Sequence, residues 1–279
     1  MAPSLGARRE WPASCRRIAF ISSTTKYNDP ESLTAAFKAH EGDVAAVIAT
    51  PFLHETFRDE APVERAFATT ARQLCDKYGS LLILDDIRAG FRLARAGSWE
   101  ELGVQPDLST WGKCLANGYP ISALLGSESA RHGAGEMFVT GSFWYSATPM
   151  AAAIETLKHI RESDYLERTI EVGRTLRDGL QHQAASHGFT LKQSGPVQMP
   201  QILFDDDRDF RVGYAWVAEA LKRGAYFHPY HNMFLSAAHT VDDVKKVLSI
   251  TDDAFAAVKQ RRAKLEPHPM VVQLLNLQG

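Results

Sequence analysis

A lysine and a pair of aspartates stand where two apolar runs stop. Lys113 follows Asp107-Leu-Ser-Thr-Trp-Gly, and Asp85-Asp86 follows Leu81-Leu-Ile-Leu84. A lysine amine can add to a carbonyl carbon and then carry a proton. A carboxylate beside it can hold a proton or a positive charge in place. Taken singly, the lysine is usually a solvated surface group, and the aspartates read equally well as caps of the following loop. Their shared position argues otherwise, because ligands of open α/β sheets bind at the carboxyl ends of strands. Lys113 also lies between Gly112 and Gly118, which would let a bulky ligand approach the backbone. No histidine or third acid sits at a spacing that would complete a metal site with Asp85 and Asp86.

The elements that must position these residues can be read from the apolar periodicity. Ile18–Ser22, Val44–Ala49, Leu81–Leu84 and Leu108–Trp111 are short apolar runs, expected as strands. Between them, helices are expected from about Asn28, where Pro30 stands near the first turn, and from about Pro62 to Tyr78, stopped by Gly79. Strands apolar on both faces and separated by helices indicate a mostly parallel sheet covered on both sides. The second half has a different texture. Pro149 to about His182 is mostly helical, and helices are also expected over Phe210–Arg223 and Val241–Arg262. Phe189–Lys192, Gln201–Phe204, Ala225–His228 and Met233–Ser236 read as short strands. The chain therefore divides near residue 155, with a large α/β domain over 1–155 and a smaller α+β domain over 156–279.

Bulk properties narrow the partners. The 279 residues are 45% hydrophobic and 23% charged with a formal net charge of −2, ordinary values for a globular protein. No long basic run favours a nucleic acid. No apolar stretch approaches the ~20 residues needed to cross a bilayer. The first residues lack the apolar core of a signal peptide. Cys15, Cys75 and Cys114 have neither metal-ligand spacing nor an even-numbered framework, so reduced thiols in a cytoplasmic protein are expected.

The stretch Leu82-Ile-Leu-Asp85-Asp86-Ile87-Arg88-Ala-Gly90-Phe91, with Gly103-Val-Gln-Pro106-Asp107, Gly112-Lys113 and Gly118-Tyr-Pro120, resembles the class III aminotransferases. The glutamate-1-semialdehyde aminomutase-like branch is nearest in flavour. The resemblance continues through Gly141–Ala153 and into His228-Pro-Tyr-His-Asn-Met-Phe-Leu-Ser-Ala-Ala-His239, and covers most of the chain from about Tyr27. It implies fold type I and pyridoxal 5′-phosphate as cofactor. Lys113 would form the Schiff base and act as the proton carrier; Asp85 would keep the ring nitrogen protonated. Ile87 would pack on one face of the ring, and Ser142 is the candidate hydroxyl for the phosphate, offered across a homodimer. Arg88 and His228 are the candidates for a small amine or amino-acid substrate, with Arg92 an alternative because arginine's fork suits a carboxylate. His54, His231 and His239 read as hydrogen-bonded structural histidines.

Two parts of the family pattern have no counterpart before Lys113: the glycine-serine loop that cradles the phosphate at a helix N-terminus, and the aromatic residue on the second ring face. The chain is thus expected to be N-terminally truncated relative to the family. Two alternatives to an aminotransferase or aminomutase stay open: a catalytically impaired remnant that only dimerises, and a lyase using Lys113 directly on a carbonyl substrate.

Overall fold

Helix starts and stops fall where side chains and backbone freedom place them. In a computed structural model, which describes residues 25–278, Asp29 caps α1 (Pro30–Ala39) by accepting from the Ser32 N–H at 2.8 Å. β1 (Ala46–Ala49) follows, then the short antiparallel pair β2 (Phe52–Leu53) and β3 (Ala61–Pro62). α2 (Arg65–Tyr78) ends at Gly79, whose left-handed backbone (φ +68°) returns its N–H to the Cys75 carbonyl. β4 (Leu81–Asp85), β5 (Leu108–Trp111), β6 (Ala123–Gly126) and the short α3 (Arg131–Glu136) come next. The rest is α4 (Ala147–Glu162), α5 (Tyr165–His187), β7 (Leu191–Ser194), β8 (Gln201–Phe204), α6 (Arg211–Lys222), α7 (Val241–Arg261) and α8 (Pro269–Gln278).

These elements form two units. The first comprises the described residues up to Pro51, Val63–Arg88 and Trp99–Ala153; the second comprises Phe52–Pro62, Ala89–Ser98 and the described residues from Ile154. The boundary in the second half falls inside α4, but two early segments belong with the later unit, so neither unit is one stretch of chain.

Unit one is an α/β layer. Its sheet has the order β1-β4-β5-β6, with β1, β4 and β5 parallel and β6 antiparallel at the edge. The apolar face of α2 (Phe67, Ala68, Ala71, Leu74) packs with Leu82 and Leu84 of β4 and with Leu33 and Phe37 of α1. Burial pushes the Cys75 thiol up to about 12, leaving it inert. Asp107 fastens the two central strands: its carboxylate accepts from the Leu82 N–H and from Arg72, both at 2.8 Å, while its own N–H donates to the Leu82 carbonyl.

Unit two is built around α5, α6 and α7, with Trp216, Phe255 and Leu180 at its centre and the antiparallel β7–β8 pair against them. The early segments are tied in by side chains. Arg95 donates to the Ile160 and Ser163 carbonyls at the end of α4, and Tyr165 donates to the Phe91 carbonyl. Asp207 accepts from the Val212 and Gly213 N–H groups at the start of α6; burial raises its pKa despite those donors.

Two expectations are corrected here. Ala225–His228 and Met233–Ser236 are not strands. Met233 and Leu235 donate single bonds to the Pro200 and Gln198 carbonyls, and with prolines at 196, 200 and 229 no ladder propagates. The α8 helix was not legible as a separate element. The expected strand Ile18–Ser22, and Cys15, lie outside the described residues.

Candidate active site

Parallel pairing puts the carboxyl ends of β4 and β5 on the same edge of the sheet, and chemistry-bearing residues stand at both. Asp85 is the last residue of β4, half-buried, and is in register with Thr110 of β5. Its Oδ1 accepts from the Thr110 hydroxyl at 3.0 Å and from the Ile87 N–H at 3.1 Å. Both recorded donors go to one oxygen, so Oδ2 is the atom left to meet a further donor. Asp86, the next residue, is buried at 1% exposure.

Lys113 lies two residues beyond β5 and opens a one-turn 3₁₀ helix. Its side chain is exposed, and its backbone is left-handed (φ +40°), an uncommon state for a residue with a Cβ. Neighbours on both sides fix it there: Trp111 is buried before it, Leu115 and Ala116 are buried after it, and the Leu115 N–H closes on the Gly112 carbonyl at 2.9 Å. Gly112 matters for space. A Cβ there would stand 3.5 Å from Ile87 Cγ2, so glycine leaves the surface beside that isoleucine open.

Lys113, Asp85, Ile87 and Arg88 therefore all belong to unit one, the first three around the ends of two neighbouring strands. Arg88 is half-buried just beyond Ile87. Ser142 lies in the same unit on the exposed stretch between α3 and α4, where the half-exposed Trp144 indole packs over Gly141. His228 is in unit two. Its Nδ1 accepts from the Tyr230 N–H at 3.3 Å, and burial, then the nearby His231, hold its pKa below the usual histidine value. His231 Nδ1 meets the Asn232 carbonyl and His239 Nδ1 accepts from the Ser236 N–H, while His54 packs edge-on to Phe52. Arg92 is occupied in unit two, donating to the Leu235 carbonyl with its guanidinium 4.6 Å over the Phe234 ring. No three metal-ligating side chains cluster among the described residues.

Sequence reasoning missed Thr110. A threonine inside a strand is ordinary, and only the register against β4 brings its hydroxyl to Asp85. The geometry can hold a planar, nitrogen-containing ring: a carboxylate with one open oxygen, an aliphatic surface, a gap left by glycine and a lysine amine. It is less suited to the ring's phosphate. Among the described residues before Lys113, both α-helices start at acids, Asp29 and Glu64, which repel an anion.

Comparison with known proteins identifies the family. Residues 3–253 match the family Aminotransferase class-III. The chain is 64% identical over 248 residues to the aminopentol aminotransferase of Sphingopyxis macrogoltabida, covering 89% of this chain and 59% of that protein. It is 33% identical to a glutamate-1-semialdehyde 2,1-aminomutase of Sorangium cellulosum, over 86% of this chain and 58% of the other. Among solved structures, the pyridoxal-phosphate internal aldimine form of the FumI protein of Sphingopyxis sp. MTA144 superposes with a TM-score of 0.87 at 64% identity, covering 88% of this chain and 60% of that one. The chain thus spans 59% of the aminopentol aminotransferase and 58% of the aminomutase.

Proposed function

Since the chain belongs to the class III aminotransferase family, of fold type I, we propose that it transfers amino groups with pyridoxal 5′-phosphate held by Lys113 and Asp85. The observation that carries this reading is the pair of adjoining parallel strands that end at Asp85 and, two residues past β5, at Lys113. Bound there, the cofactor would supply an electron sink that acidifies the hydrogen on the carbon bearing the amine. Asp85 keeps the proton on the ring nitrogen by offering it a carboxylate oxygen. Ile87 gives the ring an aliphatic face, and Gly112 leaves room beside it. Lys113 would hold the cofactor's carbonyl carbon through Nζ, and Nζ, once free, is the base placed to take the proton from the substrate carbon that bears the amine and to hand it on to a different carbon. Arg88 is our candidate for a substrate carboxylate.

The substrate class is a small amine. An aminopentol is the first to test, because the relative at 64% identity is an aminopentol aminotransferase. We propose a homodimer, with the exposed Ser142 hydroxyl offered to the phosphate held by a second copy. The unbridged thiols of Cys75 and Cys114 support placing it in the cytoplasm.

The test is spectroscopic first. Purified protein mixed with pyridoxal phosphate should develop a visible absorbance band, lost in Lys113→Ala, and should then turn over an aminopentol with a keto acid. No Lys113-dependent band would overturn the reading. A band without turnover would leave binding but remove the transferase activity, as expected of an impaired remnant.

A further inference from the structure

Thr110 and Asp85 are cross-strand partners on one face of a parallel pair, and the hydroxyl-to-carboxylate bond of 3.0 Å is made between side chains. Threonine is well suited to this. Its branched Cβ restricts χ1 within a strand, so the hydroxyl direction is largely preset. The Ile87 N–H converges on the same oxygen, Oδ1, from the residue two beyond Asp85. Two donors on one oxygen fix the carboxylate's rotation about its last bond and direct Oδ2 as the remaining acceptor. The strands do not need this bond for their own pairing, since the Asp107 carboxylate already ties the start of β5 to Leu82.

Resting on the function proposed above, we infer that Thr110 is a positioning residue: it orients the Asp85 carboxylate so that Oδ2 faces the ring N–H of the cofactor. It touches neither cofactor nor substrate. Its effect is to withdraw Oδ1 from competition and to hold the carboxylate in one rotamer before the cofactor arrives.

The test compares wild type, Thr110→Val, which keeps the shape and removes the hydroxyl, and Thr110→Ser, which keeps the hydroxyl. The readouts are cofactor affinity, by titrating the visible band, and the pH dependence of that band in the loaded protein. In Thr110→Val the affinity should fall about tenfold, the size of one hydrogen bond to a charged group, and the pH midpoint of the band should move. Thr110→Ser should restore both. A merely structural threonine would change the melting temperature and leave the pH midpoint where it was; that result overturns the inference. So does a Thr110→Ser variant that behaves like Thr110→Val. If Thr110→Val fails to fold, the inference stands or falls on Thr110→Ser alone: wild-type affinity and pH midpoint support it, and loss of either refutes it. If wild type itself shows no Lys113-dependent band, the proposed function fails and this inference falls with it, an outcome distinct from a normal wild-type band and an unmoved variant.

Discussion

Lys113 pays for its position with backbone strain: a left-handed φ on a residue with a Cβ costs on the order of 1–2 kcal/mol, tolerated because the buried Trp111 and Leu115 hold the turn from both sides. Such strain clusters at functional sites, and here it falls on the lysine that follows the end of β5. Elsewhere, charge is used for stability. Glu219, with a side chain only 10% exposed, receives Lys222, Arg223 and Arg261, whose side chains are 65%, 33% and 45% exposed. Arg223 first, then Lys222, hold its carboxyl down to about 2, from an ordinary 4.5. A depressed carboxylate stabilises the fold fully above its ordinary pKa and loses that contribution as pH falls toward the folded value. Glu219→Gln should therefore lower unfolding free energy by about 2 kcal/mol at pH 7. The difference from wild type should shrink from pH 4.5 downward and nearly vanish near pH 2, as followed by urea denaturation across pH.

At the scale of elements, α5 shows how little room the packing leaves. A Cβ on Gly173, inside α5, would stand 2.5 Å from the Val197 carbonyl oxygen, a backbone atom that cannot step aside. Alanine is the better helix former by about 1 kcal/mol, yet the clash outweighs it, and Gly173→Ala should cost about 2 kcal/mol in thermal or chemical unfolding. The elements that carry the candidate site were legible from sequence because each has a local cause. Leu81–Leu84 and Leu108–Trp111 are apolar runs of strand length, and Gly79 supplies the left-handed stop of α2. Asp85 and Lys113 were legible for the same reason, since they are where those runs end. Thr110 was not, because its role depends on the register of two strands that are separate in sequence. The expected strands at 225–228 and 233–236 have the right residue types, but proline interrupts their surroundings and only isolated bonds form. Gly173 was silent for the opposite reason: its neighbour Val197 is distant in sequence, and nothing local asks for a glycine mid-helix.

At the scale of the molecule, the stretch between α3 and α4 exposes Phe138, Phe143 and Tyr145 at 93%, 87% and 95%. Large aromatics so exposed in one run are unusual for a protein that stays monomeric. If the proposed homodimer uses them, replacing all three with serine should shift sedimentation velocity from dimer toward monomer. An unchanged dimer would place the interface elsewhere. The interleaving of the two units has its own consequence, which concerns time. Glu60 donates its N–H to the Ser194 hydroxyl across 134 residues, and Arg92 reaches the Leu235 carbonyl across 143. On a ribosome adding about 5–20 residues per second, Arg92 waits roughly seven to thirty seconds for its acceptor to be made. Until then Ala89–Ser98 leaves the exit tunnel as a tether running out of the early part of the sheet, with its own partners not yet made. The order of synthesis thus lets the last segment of unit one, ending at Ala153, be made before the long segment of unit two that starts at Ile154.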